Sequence, residues 1–165
     1  MKSTGTLKIT TPTDREIVMT RVFDAARHMV WEAMSKPELL KQWLLGPPGW
    51  SMVVCENDLR VHGTFRHVWR NTDGTEMAMR GVYHEVVAPE RVVRTESFDF
   101  GCEAQSGEQL ATVGLTEQAG RTILTLKVLY PSKEARDGTI ASGMEHGVAA
   151  SYDRLAELLA ATPSR

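Results

Sequence analysis

At 165 residues, 42% of them hydrophobic, the chain can bury a real core, and one domain spanning residues 1–165 is expected. Its net charge is −2 with both signs scattered, so a nucleic-acid partner has no electrostatic footprint. No run of about 18 apolar residues exists to span a membrane, residues 1–15 lack the apolar segment of a secretion signal, and two distant cysteines, Cys55 and Cys102, are too few for a disulfide framework. A cytoplasmic protein is expected.

Residues 1–14 read as a partly ordered extension or as half of a first strand, which runs from Leu7 to Phe23 with a break at Thr11-Pro12-Thr13-Asp14. Ile17, Met19, Arg21 and Phe23 alternate there with Val18, Thr20 and Val22, so both faces are partly apolar, as in a strand covered on both sides or near a sheet edge. Asp24 offers an N-cap for a short helix through Met34 that buries Val30, Trp31 and Met34. Ser35-Lys36-Pro37-Glu38 then has the spacing of a capping box, with proline in the first turn. The second short helix runs through about Leu45 and presents Leu39, Leu40, Trp43 and Leu44 until Gly46-Pro47-Pro48-Gly49 stops it.

From Trp50 the pattern is β: strands over 50–59, 64–71, 75–87 and 91–100, with turns at Arg60-Val61-His62-Gly63, Asp73-Gly74 and Pro89-Glu90. Residues 101–107 form a looser connection. A last hairpin pairs 110–116 with 122–130 around Gln118-Ala119-Gly120, and Ser132 caps the turn that leads into the long helix. Short turns between consecutive strands imply an antiparallel meander.

The C-terminal helix is placed at 139–161. Ile140, Met144, Val148, Tyr152, Leu155 and Leu159 form its apolar stripe, with His146, Asp153 and Glu157 opposite. Gly143, Gly147 and Ser151 flank the stripe, and each glycine costs ~1 kcal/mol relative to alanine inside a helix. A space left between helix and sheet is the expected reason; close backbone approach and a kinked first turn are the alternatives. The fold class is therefore α+β: a strongly curved antiparallel sheet of seven strands around a long C-terminal helix, with two short helices after strand 1.

Catalytic signatures are absent: the sequence has no G-x-S-x-G, P-loop, G-x-G-x-x-G or H-E-x-x-H, and its five histidines lack metal-ligand spacing. No catalytic residue, metal or cofactor is assigned. Phe65, His67 and Trp69 share an inward strand face, opposite a solvated face of Thr64, Arg66, Val68 and Arg70. His67 is then either a satisfied core histidine or a polar contact for a ligand. Arg94 and Glu96 share a face with Val92 and Phe98; an outward, surface-paired arrangement is the expectation, and an inward one would require pairing. Met77 and Met79 lie on one face with Gly81 and Tyr83, where methionine adapts to irregular space and glycine admits a close neighbour. Trp43 and Trp50 bracket the Gly-Pro-Pro-Gly loop, at a cavity mouth or at the sealed end of a core.

These residues resemble a known family. Phe23-Asp24-Ala25-Ala26 through Val30-Trp31-Glu32-Ala33, then Pro37 to Trp43 and Gly46 to Trp50, look like its amino-terminal signature. Cys55 to Arg60, Gly63 to Arg66, Arg80 to Tyr83, Pro89 to Val93, Thr95 to Phe98 and Gly143-Met144-Glu145 with Gly147 continue the match. The sequence resembles the START-like (SRPBCC) superfamily, in the branch of homologues of the activator of the heat-shock-protein-90 ATPase. The resemblance implies the helix-grip fold, with an apolar molecule bound between sheet and long helix. Where the family often has an aromatic residue after Gly147, this chain has Val148, which enlarges or reshapes the cavity.

The expected function is a binding protein for an apolar, amphipathic or lipid-like small molecule. The expected wall is Trp43, Phe65, His67, Trp69, Met79, Tyr83, Met144, Val148 and Tyr152, with His67 and Tyr83 orienting the ligand. The alternatives are a cyclase- or hydrolase-like enzyme using His67 or Glu96 as acid–base groups, or a chaperone-modulating module with an exposed apolar patch. A homodimer is compatible with the sequence.

Overall fold

The computed structural model describes residues 7–45, 48–99 and 107–162. Gly46 and Pro47 of the expected helix stop, and stretch 100–106 with Cys102, lie outside the described residues. The elements follow the expected order. β1 (Lys8–Thr10) and β2 (Glu16–Phe23) precede α1 (Arg27–Ser35) and α2 (Pro37–Trp43). Then come β3 (Trp50–Asn57), β4 (Thr64–Asn71), β5 (Glu76–Val87), β6 (Arg91–Asp99), β7 (Gln109–Gln118) and β8 (Arg121–Leu129), and finally α3 (Lys133–Ala141) and α4 (Met144–Ala161).

All eight strands join one antiparallel sheet in the order β1-β2-β8-β7-β6-β5-β4-β3. The expected count of seven is thus one short. The break at residues 11–15 separates two strands, because Lys8–Thr10 turns back to pair with Val18–Thr20. Asn71 and Thr75 close the β4–β5 hairpin as the Asp73-Gly74 signal requires, with Gly74 at φ +90°. Gly81 has the reason anticipated for it: a Cβ there would sit 1.8 Å from the Thr95 carbonyl oxygen, so β5 and β6 approach too closely for any side chain.

The long helix is not continuous. Gly143 takes φ +77°, a left-handed conformation that ends one helix and starts another. The kinked alternative therefore holds at this glycine. α3 has no buried residue, and Ile140, expected in the stripe, is exposed. Ser132 caps α3 as expected, its hydroxyl accepting from the Ala135 N–H at 3.0 Å, and Arg136 ties the helix to the Thr13 carbonyl at 2.8 Å. In α4 the buried positions are Ser151, Tyr152, Leu155 and Leu159.

The short helices are capped otherwise than their sequences suggest. The N-cap of α1 is Ala26, not Asp24, and the Arg27 N–H is met by Glu117 Oε1 from the distant β7 at 2.5 Å. A carboxylate in this place also suits the positive end of the helix. Ser35 belongs to the last turn of α1, where its hydroxyl donates to the Trp31 carbonyl. No capping box forms, and Lys36 stands at the N-cap of α2. α1 buries Val30 and Ala33, leaving Trp31 and Met34 half-buried; α2 ends at Trp43 and buries it with Leu40.

The apolar interior divides into three clusters. The largest joins Phe23, Leu115 and Leu124 of the sheet to Val30, Ala33, Leu40 and Trp43 of α1 and α2 and to Tyr152, Leu155 and Leu159 of α4. A second holds Ile17, Met19, Ala111, Val128 and Tyr130, with Met144 and Val148 against it. The third, Met52, Phe65, Trp69, Met79 and Tyr83, lies on β3–β5 and packs with Leu44 and Leu45 after α2. Among the described residues no apolar side chain of α4 joins it.

Candidate functional site

The third cluster and its border with the other two make the candidate site. Strand alternation turns Phe65, His67 and Trp69 inward on β4, Met79 and Tyr83 inward on β5, and Cys55 and Asn57 inward on β3. The rings run as a file: Phe65–Tyr83 at 5.6 Å, Phe65–His67 at 5.2 Å and His67–Trp69 at 5.7 Å. Trp69 is fixed by a 2.7 Å hydrogen bond from its indole N–H to the Leu44 carbonyl. Val68, expected on a solvated face, is buried, while its face-mates Thr64, Arg66 and Arg70 are exposed as expected.

Arg94 and Glu96 overturn their expected surface placement. Both side chains turn inward from β6 and are largely buried, the carboxylate at 9% exposure and the guanidinium at 19%. Burial on this scale is tolerable because the charges pair. Arg94 Nε and Nη2 donate to Glu96 Oε2 at 3.0 and 2.9 Å, while Gln109 Nε2 donates to Glu96 Oε1 at 2.9 Å. The guanidinium also lies 4.0 Å above the Phe65 ring centroid, a cation–π contact. The Tyr83 hydroxyl donates to Asn57 Oδ1, and Asn57 Nδ2 donates to the Ser35 carbonyl at 2.7 Å. A polar string thus crosses the inner face from the end of α1 to β7, through Asn57, Tyr83, Arg94, Glu96 and Gln109.

Electrostatics follow from this burial. His67 is pushed down to about 3, first by burial and then by the nearby Arg94 charge, so its imidazole is neutral at neutral pH. Its Nδ1 lies 3.5 Å from Cys55 Sγ, and burial raises the thiol, which stays protonated. Burial also raises Tyr83 and Tyr152 and takes Tyr130 up to about 12. For Arg94 burial pulls down, but Glu96 and Tyr83 together outweigh it and its proton is held more firmly than usual.

The nine expected wall residues separate into two groups. Phe65, His67, Trp69, Met79 and Tyr83 come together on β4 and β5. Trp43 and Tyr152 face each other at 6.1 Å within the packed core, with Trp43 hydrogen-bonded to the Ala33 carbonyl at 2.9 Å and Tyr152 edge-on to Phe23. Met144 and Val148 are half-buried against the second cluster. Tyr152 links the groups, since its hydroxyl lies near enough to Glu96, Arg94 and Arg21 for all three charges to act on it. Asn57, Arg94, Glu96 and Gln109 complete the site and were not among the nine. Alternation assigns Arg94 and Glu96 to one face but does not say which, and a lone Asn or Gln carries no sequence signal.

Gln109 and Tyr130 also line a small surface cleft with Phe98, Pro131, Ala135 and Thr139, beside α3. Among the described residues no group of three or more His, Cys, Asp or Glu side chains is arranged to hold a metal ion, and no helix is long and apolar enough to cross a membrane.

One antiparallel sheet with a C-terminal helix is the α+β arrangement of the START-like superfamily. Within it, the chain belongs to the family described as Activator of Hsp90 ATPase homolog 1-like proteins, whose model matches residues 24–160. Among solved structures it resembles a protein from Rhodobacter sphaeroides at 29% identity, covering 96% of this chain and all of that one, with a TM-score of 0.89. A Chromobacterium violaceum protein matches at 25% identity over 89% of this chain and 98% of that one, TM-score 0.74. A Mycobacterium smegmatis protein shares the fold at 23% identity, over 96% and 99% of the two chains, TM-score 0.84. Comparison with curated proteins finds no match.

Proposed function

We propose that the protein binds an amphipathic small molecule between the start of α4 and the inner face of β3–β6, in the manner of a helix-grip fold. The observation that carries this reading is the third cluster. Its five buried apolar side chains acquire no apolar partner from α4 among the described residues, although the same helix packs closely over Phe23, Leu115 and Leu124. A sheet half that takes its cover from Leu44, Leu45 and Trp50 rather than from α4 can admit another apolar body when those side chains move aside. Pliable methionines and stacked rings suit such a body, and the adjoining polar string supplies the few oriented contacts that a binding site needs.

The acid–base alternative has less support. An imidazole held near 3 is a poor base at neutral pH, and both oxygens of Glu96 already accept hydrogen bonds. The chaperone-modulating alternative gains little from the exposed large apolar residues: Val82 and Val87 share β5, while Val61, Leu110 and Ile140 come from the β3–β4 turn, β7 and α3.

The test is mass spectrometry of small molecules released when the purified native protein is denatured, joined to calorimetric titration with amphipathic probes. A released amphipathic compound, or saturable binding of a probe that weakens in Met79→Trp, is expected. Neither released compound nor saturable binding would sink the reading.

A further inference from the structure

We infer that the ligand of this site is electroneutral, an alcohol, phenol or ketone rather than a carboxylate or an amine, because the ionic pair on its floor is already closed on itself. The inference rests on the proposed binding site. Both Arg94 donors that point along the strand, Nε and Nη2, converge on one oxygen of Glu96, and the other oxygen is taken by Gln109. The Arg94 face is covered by Phe65. A carboxylate arriving here would find its one cation neutralised by an anion 2.9 Å away, and an ammonium would find the converse. Either ion would lose its water without gaining a counter-charge, a far greater cost than that of burying a hydroxyl or carbonyl.

The remaining groups agree. Tyr83 and Asn57 are satisfied by each other and by the Ser35 carbonyl. The His67 ring engages Cys55 through Nδ1 and is neutral, and Tyr152 brings a phenol close to the ion pair. Both are neutral groups that recognise a dipole. The other deeply buried cation, Arg21, is held in the packed half by Asp153 at 2.9 Å.

Three probes of one shape and different charge decide the matter: 2-naphthol, 2-naphthoate and 2-naphthylmethylammonium, titrated calorimetrically at pH 7. The naphthol should bind at least about tenfold more tightly than either ion. Glu96→Gln keeps the size of the side chain but frees the Arg94 charge, so naphthoate should gain about tenfold relative to naphthol. The double variant Arg94→Gln/Glu96→Gln should restore the preference for the neutral probe. Wild-type preference for an ion, or equal binding of all three, overturns the inference and leaves the binding site standing. Binding of none of the three, together with no released compound, removes the site itself. If Glu96→Gln does not fold, as judged by circular dichroism, the wild-type comparison alone decides between these outcomes.

Discussion

The β2–β8–β7 side of the sheet and the β3–β6 side lie under the same C-terminal helix, yet they are finished differently. On the first side Phe23, Leu115 and Leu124 meet Tyr152, Leu155 and Leu159 directly, and α1 and α2 close the layer. On the second side the sheet presents methionines, stacked rings and a buried ion pair, and α4 contributes no apolar side chain to that cluster among the described residues. The contrast separates two tasks. Close packing fixes the helix, whereas the third cluster takes its cover from Leu44, Leu45 and its own strands, so its shape and chemistry can vary without loosening α4.

Paired truncations test this contrast most severely. Leu155, fully buried in the first half, should cost about 3–5 kcal/mol on Leu155→Ala, because its neighbours are locked and a cavity remains. Met79→Ala should cost about 2 kcal/mol, the lower end for a buried methionine, because the unbranched Met52 and Met77 of the same cluster can shift to fill the gap. Urea unfolding measures both, and equal costs would erase the distinction between the halves.

Acid should act on the second half. The unfolded His67 binds a proton near 6.5, the folded one only near 3, so between those values the unfolded state holds more protons. The stability this supplies is complete above about pH 6.5 and is lost as pH falls towards 3, at up to about 1.4 kcal/mol per pH unit. By pH 4 the loss should approach about 3 kcal/mol. His67→Leu should flatten that limb in a series of urea melts from pH 7 to 4. A limb unchanged by the substitution would place the acid sensitivity elsewhere.

A smaller effect concerns the pair that ties α4 to β2. Arg21 is 1% exposed, and Asp153, its partner at 2.9 Å, is 58% exposed. Arg21 Nε and Nη2 make no aligned hydrogen bond among the described residues, so the contact at Nη2 is an ion pair rather than a well-directed bond. Asp153→Asn leaves the buried cation uncompensated, but water at the exposed end moderates the cost to about 1–2 kcal/mol. Arg21→Met should be nearly neutral, since it removes the charge that needs a partner. Thermal melts of the two variants distinguish these outcomes.

Much of the architecture was legible in the sequence because it is written in local patterns. The inward Phe65, His67 and Trp69 of β4, the alternation of β8, the Asp73-Gly74 turn and the Ser132 cap each depend on residues within a few positions, and each appears as expected. What escaped depends on residues far apart or on ambiguous periodicity. The stripe spacing continues unbroken across Gly143, so it cannot reveal the left-handed residue that divides α3 from α4. Glu117 caps α1 from ninety positions away. β1 pairs through its backbone over three residues, too few for a pattern to register. Arg94 and Glu96 read as surface charges because their pairing is local but the choice of which β6 face meets the core is a tertiary property.

The smallest prediction asks whether the halves can be tuned separately. Ala119 and Gly120 connect β7 to β8 in a two-residue turn, and both have positive φ, +54° and +79°. A turn of this hand suits the twist of the hairpin, but alanine bears a steric penalty there that asparagine escapes more readily. Ala119→Asn should therefore stabilise the protein by about 0.5–1 kcal/mol, read as a raised urea midpoint with an unchanged slope. Asparagine adds little freedom to the unfolded chain, so the gain is not cancelled there as it would be with glycine. The turn joins the two strands that carry Leu115 and Leu124 in the packed half, far in the strand order from β3–β5. Affinity for 2-naphthol should thus remain within about twofold of the wild-type value, an energy below RT. A larger change would mean that the β2–β8–β7 half sets the shape of the β3–β6 half, and that the division between them is one of chemistry but not of mechanics.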